Sequence, residues 1–264
     1  MTPSPNFLSR VYPFKKLSVH VVSMQQLEHK KTVPQLTWEE LVNYSTLEIA
    51  INRVAEIYNF SHHPYITWMQ ASGTSREEFR QSQLPFRFAV ECFSQPLAAV
   101  LAKIPQLEKR LPIFENIAEE HGSGSILRSH KYTFQQYLQA LGSNALELNT
   151  PCTTSVLAFN QSILTYCITQ QPESGSAMLG IIEYLYIGIS ANIAQTLLHR
   201  SWTTPGSQSH YAVHEKLDTE HSRDLLMLAT PAWDESRSRA QVAQGLVLGA
   251  HYFWSLYNDL LPCF

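Results

Sequence analysis

Apolar positions along this chain recur at helical spacing, and alternation of the strand kind is nearly absent. The stretch "TWEE" opens the first clear case. Thr37 and Glu40 form a capping-box pattern, and Leu41, Leu47, Ile51 and Val54 continue one apolar face. A second start is "TSRE", Thr74 with Glu77, leading into a helix expected to reach about Leu101 with kinks at Pro85 and Pro96. A helix from about Pro105 should stop at Gly122, the next should run from a Ser129 cap to Gly142, and Pro151 should open another. "SGSAMLGIIEYLYIGISANIAQTLLHR" is apolar on nearly every side in its middle, which is the pattern of a helix buried on most faces. "TPGSQ" separates it from a histidine-rich helix, and "WDES" caps a last helix to about Leu261. The pattern predicts an all-α fold of seven or eight helices without repeats.

The first 36 residues stand apart, with four prolines and one short β-like run, Leu17 to Val22. They read as an extended N-terminal arm (1–36) on a single helical domain (37–264). Composition changes this picture little. The 264 residues are 44% hydrophobic and 16% charged, enough for a real core. A net charge of −3 gives no electrostatic case for nucleic acid or an anionic membrane as partner. No run approaching 18 apolar residues stands out, so no membrane span is expected. The N-terminus lacks the layout of a signal peptide. Cys92, Cys152, Cys167 and Cys263 show no CxxC spacing and read as free thiols in a reducing, cytoplasmic setting. Leu246, Ala250, Phe253, Tyr257 and Leu260 form an apolar stripe on the last helix, from which a homodimer is expected.

Charge inside apolar surroundings is the informative feature. Glu183 is the single acid of the long buried helix, and a carboxylate there must be protonated, paired or bound to a cation. An acid satisfied at a helix crossing is one reading; a metal ligand is the other. Glu91 in "FAVECF", Glu120 in "ENIAEEHG" and His130 ten residues later could converge on it. His214, Asp218 and His221, at offsets of four and seven, fall within roughly 60° on a helix surface. The stripe could equally be a solvated face. As a set, four carboxylates and three imidazoles balance two divalent cations and favour iron or manganese over a structural zinc.

"ENIAEEHGSGSILRSHKYTFQQYLQALG", then "GIIEYL" and "HYAVHEKLDTEHSRDL", resembles the heme-oxygenase-like di-iron oxidase and oxygenase family over about residues 60 to 260. The specific part is Glu-x9-His, a lone Glu, and His-x3-Asp-x2-His about 31 residues further on. The resemblance implies a seven-helix heme-oxygenase-like bundle, two Fe(II) ions, O2 as co-substrate and an external reductant. It implies Glu120, His130, Glu183, His214, Asp218 and His221 as ligands, with Glu91 matching less closely. Glu119 and His121, both close neighbours, fit that pattern less well. Sister groups fit worse: "SWTTPG" lacks the cysteine of thiaminase-like members. His62 and His63 of "SHHPY", the candidates for a heme ligand, read as structural.

Members of the family oxygenate amines, cleave C–C bonds of amino or fatty acids, or form nitriles. The sequence most resembles a nitrile-forming member acting on a bromotryptophan. An amino-acid substrate would sit in an aromatic pocket to which Phe88, Phe134, Tyr184 and Ile187 are expected to contribute. Arg87, Arg128 or Lys131 would meet its carboxylate. An N-oxygenase and a non-catalytic helical binding protein are the alternatives.

Overall fold

The computed structural model describes residues 32–204 and 209–262, without the side chains of 209 and 212–218. Among the described residues the regular structure is helical throughout. The elements are α1 (Trp38–Leu41), α2 (Leu47–Ile57), α3 (Pro64–Gln70), α4 (Arg76–Gln83), α5 (Arg87–Cys92), α6 (Ser94–Leu101) and α7 (Leu107–Glu120). They are followed by α8 (His130–Ala140), α9 (Ala145–Leu148), α10 (Thr154–Thr169), α11 (Pro172–His199), α12 (Ser209–Ala229) and α13 (Ser236–Leu260).

Breaks fall where the chemistry of the chain demands them, though not always at the residues first expected. Thr37 does cap α1, but that helix ends after four residues, and Thr46 caps a separate α2. The second capping box is Ser75 with Glu78, one residue later than the sequence suggested. Pro85 cannot donate to the carbonyl of a preceding turn, so the expected long helix splits there and again at Phe93, giving α4, α5 and α6. Pro96 sits in the first turn of α6, where a missing N–H costs nothing. Ser129 occupies the N-cap position of α8, but its hydroxyl donates to the Ile126 carbonyl instead of capping.

The central helix is α11, packed along its length by α12 and α13 and crossed by α6 and α10. Close approach is achieved with small residues. A Cβ on Gly245 of α13 would lie 2.3 Å from the Ser174 carbonyl oxygen, and one on Gly249 would lie 2.6 Å from that of Met178. Ser176 reinforces the other side by donating to the Leu225 carbonyl of α12 at 2.6 Å. By length and composition α11 could cross a membrane, which the sequence reading had not anticipated. An 18-residue window reaches a mean hydropathy of 1.5, and 61% of it is buried inside the bundle. Burial on three sides accounts for that hydropathy.

The stripe on α13 is likewise covered within one chain. Leu246, Ala250, Phe253, Tyr257 and Leu260 are all buried, so the argument from it to a homodimer falls. Exposed apolar side chains are scattered over several elements and include Leu107, Leu111 and Phe114 of α7. Cys92, Cys152 and Cys167 are free thiols. Cys263, the Leu17–Val22 run and most of the N-terminal arm lie outside the described residues. The arm's last part meets the body through Tyr58, which donates to the Pro34 carbonyl, and Trp254, which donates to that of Thr32.

His63 is structural, as its sequence context suggested. Its Nδ1 accepts the Tyr65 N–H at 2.9 Å, capping α3, so the ring proton is on Nε2 and reaches the Trp254 carbonyl at 3.1 Å. A second proton would have no acceptor, and burial holds its pKa down to about 4. The folded pKa lies below the unfolded value, so this stabilisation is complete above about pH 6.5 and is lost as pH falls toward 4. Between pH 7 and pH 5 the wild type should therefore lose about 2 kcal/mol more unfolding free energy than His63→Asn, which keeps a cap but cannot titrate. Urea unfolding at the two pH values measures this, and parallel losses in both proteins would show that His63 protonates without resistance in the fold.

Candidate metal and substrate site

Glu183 lies in the middle of α11 at 5% exposure. Two helices supply partners for it. Asn116 of α7 donates Nδ2 to its Oε1 at 2.9 Å, and His221 of α12 brings Nδ1 to 3.4 Å from Oε2. The same imidazole meets Glu119 of α7 through Nε2 at 2.9 Å. Beside this group, Glu120 ends α7 and lies 2.9 Å from Nδ1 of His130, which opens α8. Both members of that pair are nearly buried, at 10% and 9% side-chain exposure.

The turn between α7 and α8 sets this geometry. Gly122 at φ +79° closes α7 in a Schellman motif, with Gly122 N–H to the Glu119 carbonyl and Ser123 N–H to that of Ala118. A side chain at Gly122 would drive into the backbone: its Cβ would be 2.2 Å from the Ser125 oxygen and 2.5 Å from the Ser129 nitrogen. The tight return is what lets residues ten apart in sequence face each other.

Glu120, His130 and Glu183 share a cleft with His210. The rest of its wall is apolar. Phe86, Ala89, Val90 and Phe93 come from α5 and the breaks beside it, Phe159 from α10, Ile182 and Tyr186 from α11, and Phe253 from α13. Among the described lining residues there is no lysine or arginine.

Several expected positions fall elsewhere. Glu91 is 40% exposed in its side chain and forms an ion pair with Lys131 at 2.5 Å, outside the cleft. Arg87 is buried, but its guanidinium donates to the carbonyls of Leu84 and Thr150, tying α5 to the segment after α9. Arg128 is exposed and reaches the Ser123 carbonyl. Phe88 is half-buried under the Arg87 guanidinium, 4.2 Å from its carbon, while Phe86 takes the cleft position. Tyr184 and Ile187 line a different groove with Tyr58 and Phe60. Phe134 stands behind the wall, its ring packed on Phe86 and His210. His214 and Asp218 belong to α12, but their side chains lie outside the described residues.

Asn116, His210, Ile182 and Tyr186 were not anticipated, and Glu119 was expected only as a neighbour of the site. Two of these left a readable trace. Asn116 precedes Glu119 and Glu120 by three and four positions on α7, hence shares their face. His210 precedes His221 by eleven, about 20° on a helix.

Buried carboxylates alternating with imidazoles, in a cleft with no thiolate among its described lining residues, are the donor chemistry of iron or manganese. The residues fit such ions in type and in convergence from four helices. Glu120 pairs with His130, and His221 bridges Glu183 and Glu119; among the described residues no three histidine, cysteine or acidic side chains form a single metal-binding group. Fold and donors thus define a helical bundle with buried carboxylates and imidazoles gathered at one apolar cleft. Residues 85–254 match the family described as "Iron-containing redox enzyme", and the chain belongs to that family.

Solved structures with the same fold include a TenA homolog from Pseudomonas syringae pv. tomato, at TM-score 0.67 and 14% identity over 87% of this chain and 98% of that one. A TenA homologue from P. horikoshii gives 0.63 and 12% over 82% and 98%. A domain of unknown function with a heme oxygenase-like fold from Shewanella denitrificans gives 0.63 and 12% over 91% and 92%. At such identities the likeness is one of fold, which is heme oxygenase-like. No curated protein matches the sequence.

Gly122→Ala should unfold at lower urea concentration than the wild type, by an amount equivalent to roughly 2–4 kcal/mol. It combines left-handed backbone strain with a backbone clash. Gly124→Ala, whose Cβ would meet nothing within 4 Å, carries only the strain of its φ of +87° and should lose about half as much or less. Equal losses in the two variants would mean that the close return at Gly122 is not what constrains the turn.

Proposed function

We propose that this chain is an O2-dependent di-iron oxygenase acting on an amino acid with an aromatic side chain, in its most specific form a nitrile synthase that cleaves a C–C bond of tryptophan or bromotryptophan. The observation that carries this reading is the pairing of buried Glu120 with His130 and of buried Glu183 with His221 at one apolar, aromatic cleft. Those four would hold the metal, with Glu119 beside them and His214 and Asp218 as the further ligands that the sequence pattern supplies. Bound there, two Fe(II) ions would activate dioxygen with electrons from an external reductant.

The chain's own contribution is placement. Asn116 and His221 fix the Glu183 carboxylate from two sides, so its oxygens are oriented before any ligand arrives. Phe86, Phe159 and Phe253 give an aromatic side chain a dry surface. The amine of an amino acid suits the carboxylate end, where Glu120 and Glu183 attract a positive charge. Its carboxylate is not met by Arg87, Arg128 or Lys131, all of which are engaged elsewhere. Amine N-oxygenation draws on the same features, and the product distinguishes it.

The test is to load the protein anaerobically with Fe(II), measure metal per chain, and supply tryptophan and other aromatic amino acids with O2 and a reductant. Two irons per chain and a product that has lost the carboxyl end but kept nitrogen support the reading. Absence of bound iron under these conditions rejects it in favour of a binding protein. Asn116→Leu should weaken iron binding by roughly 10–100-fold in chelator competition while leaving helicity unchanged, because it frees a carboxylate without removing it. An unchanged affinity would show that Asn116 does not orient Glu183 for metal.

A further inference from the structure

His221 touches two carboxylates, and they are not equivalent. Its Nε2 lies 2.9 Å from Oε2 of Glu119, and its Nδ1 lies 3.4 Å from Oε2 of Glu183. Glu183 lines the cleft and is nearly buried. Glu119 is 37% exposed in its side chain and is not part of the cleft lining. A metal ion takes the lone pair of one ring nitrogen and leaves the N–H on the other. The nitrogen with the closer carboxylate, outside the cleft, is the one that keeps its proton. That nitrogen is Nε2, and Nδ1 faces the side on which Glu183 stands.

Glu119 does nothing for its own helix. It lies in the last turn of α7 beside Glu120, and that turn carries no basic residue. A negative charge there meets the negative end of the helix dipole, which is unfavourable for α7. Its hydrogen bond reaches across to α12 instead. Asn116, three residues earlier on the same face of α7, holds Oε1 of Glu183. One face of this helix thus orients both an acid of α11 and an imidazole of α12.

We propose that Glu119 is a positioning residue: it accepts the Nε2–H of His221 and so commits Nδ1, the nitrogen facing Glu183, to the metal. This rests on reading the cleft as a metal centre. It gives Glu119 a role outside the ligand set and names the ring nitrogen that His221 uses. A carboxylate behind a metal-binding histidine fixes both its tautomer and its ring orientation.

Anaerobic Fe(II) binding in chelator competition tests this without substrate or turnover. Glu119→Ala should bind its weaker iron roughly 10–100-fold less tightly than the wild type. Glu119→Gln keeps an oxygen that can accept from Nε2, and should recover about half or more of that loss in logarithmic terms, because a neutral acceptor makes roughly half as strong a bond. Unchanged affinity in Glu119→Ala overturns the proposal. An equal loss in both variants also overturns it, since the charge of Glu119 would then act as a ligand's. Either result leaves the metal reading standing, whereas a wild type that binds no iron rejects that reading and the proposal with it. The 15N shifts of the His221 ring in Zn(II)-loaded wild type are an independent readout, and decide if a variant fails to fold. Metal at Nδ1 with the proton on Nε2 supports the proposal, and the reverse overturns it.

Discussion

A carboxylate in the middle of an apolar helix organises this protein. Removing Glu183 from water is tolerable only if other groups come to it, and those groups must arrive on other helices. Asn116 comes from α7 and His221 from α12. The last turn of α7 then does more than answer Glu183. Asn116, Glu119 and Glu120 point to three different helices, α11, α12 and α8, within five residues. One helical turn thereby fixes the relative positions of every described donor. The tight spacing of α11 against α13 at Gly245 and Gly249, and against α12 at Ser176, keeps that turn and Glu183 within reach.

Residues at odds with their local pattern were legible in the sequence, and the structure brings three of them to one cleft. Glu183 is a charge where the pattern permits none, and Glu120 and His130 bracket a glycine-rich stop at a spacing that implies a return. Gly122 and Gly142, both at positive φ, ended their helices where the pattern placed the stops. The all-α class followed from the same periodicity. Helix breaks were harder, since a proline announces a break without saying how the chain is rotated afterwards. Phe88 and Phe86 exchanged places for this reason: the interruption at Pro85 turns α5 so that Phe86, Ala89, Val90 and Phe93 face inward.

Other positions were illegible because distant backbone decides them. Nothing near Arg87 in sequence reveals that the Thr150 carbonyl will claim its guanidinium. Glu91 looked like a second buried acid, yet Lys131 arrives from α8 and draws it to the surface. Tyr184 and Ile187 flank Glu183 in sequence, but the helix presents them to another groove, while Ile182 and Tyr186 reach the cleft. On a helix buried on most sides, periodicity cannot tell which neighbour each face will meet.

The cleft is built from two sets of parts that barely overlap. Its charged end comes from α7, α8, α11 and α12, bound to one another by the carboxylate pairs. Much of its apolar wall comes from the stretch around α5, which is six residues long and bounded at both ends by breaks. A short helix between two breaks can be reshaped by a few changes at Phe86, Ala89, Val90 or Phe93, none of which takes part in the hydrogen bonds among the acids and imidazoles. Within such an architecture, evolution can retune what is bound while the machinery that would handle oxygen stays fixed. New substrate ranges can then arise on this scaffold through drift in one small, jointed segment.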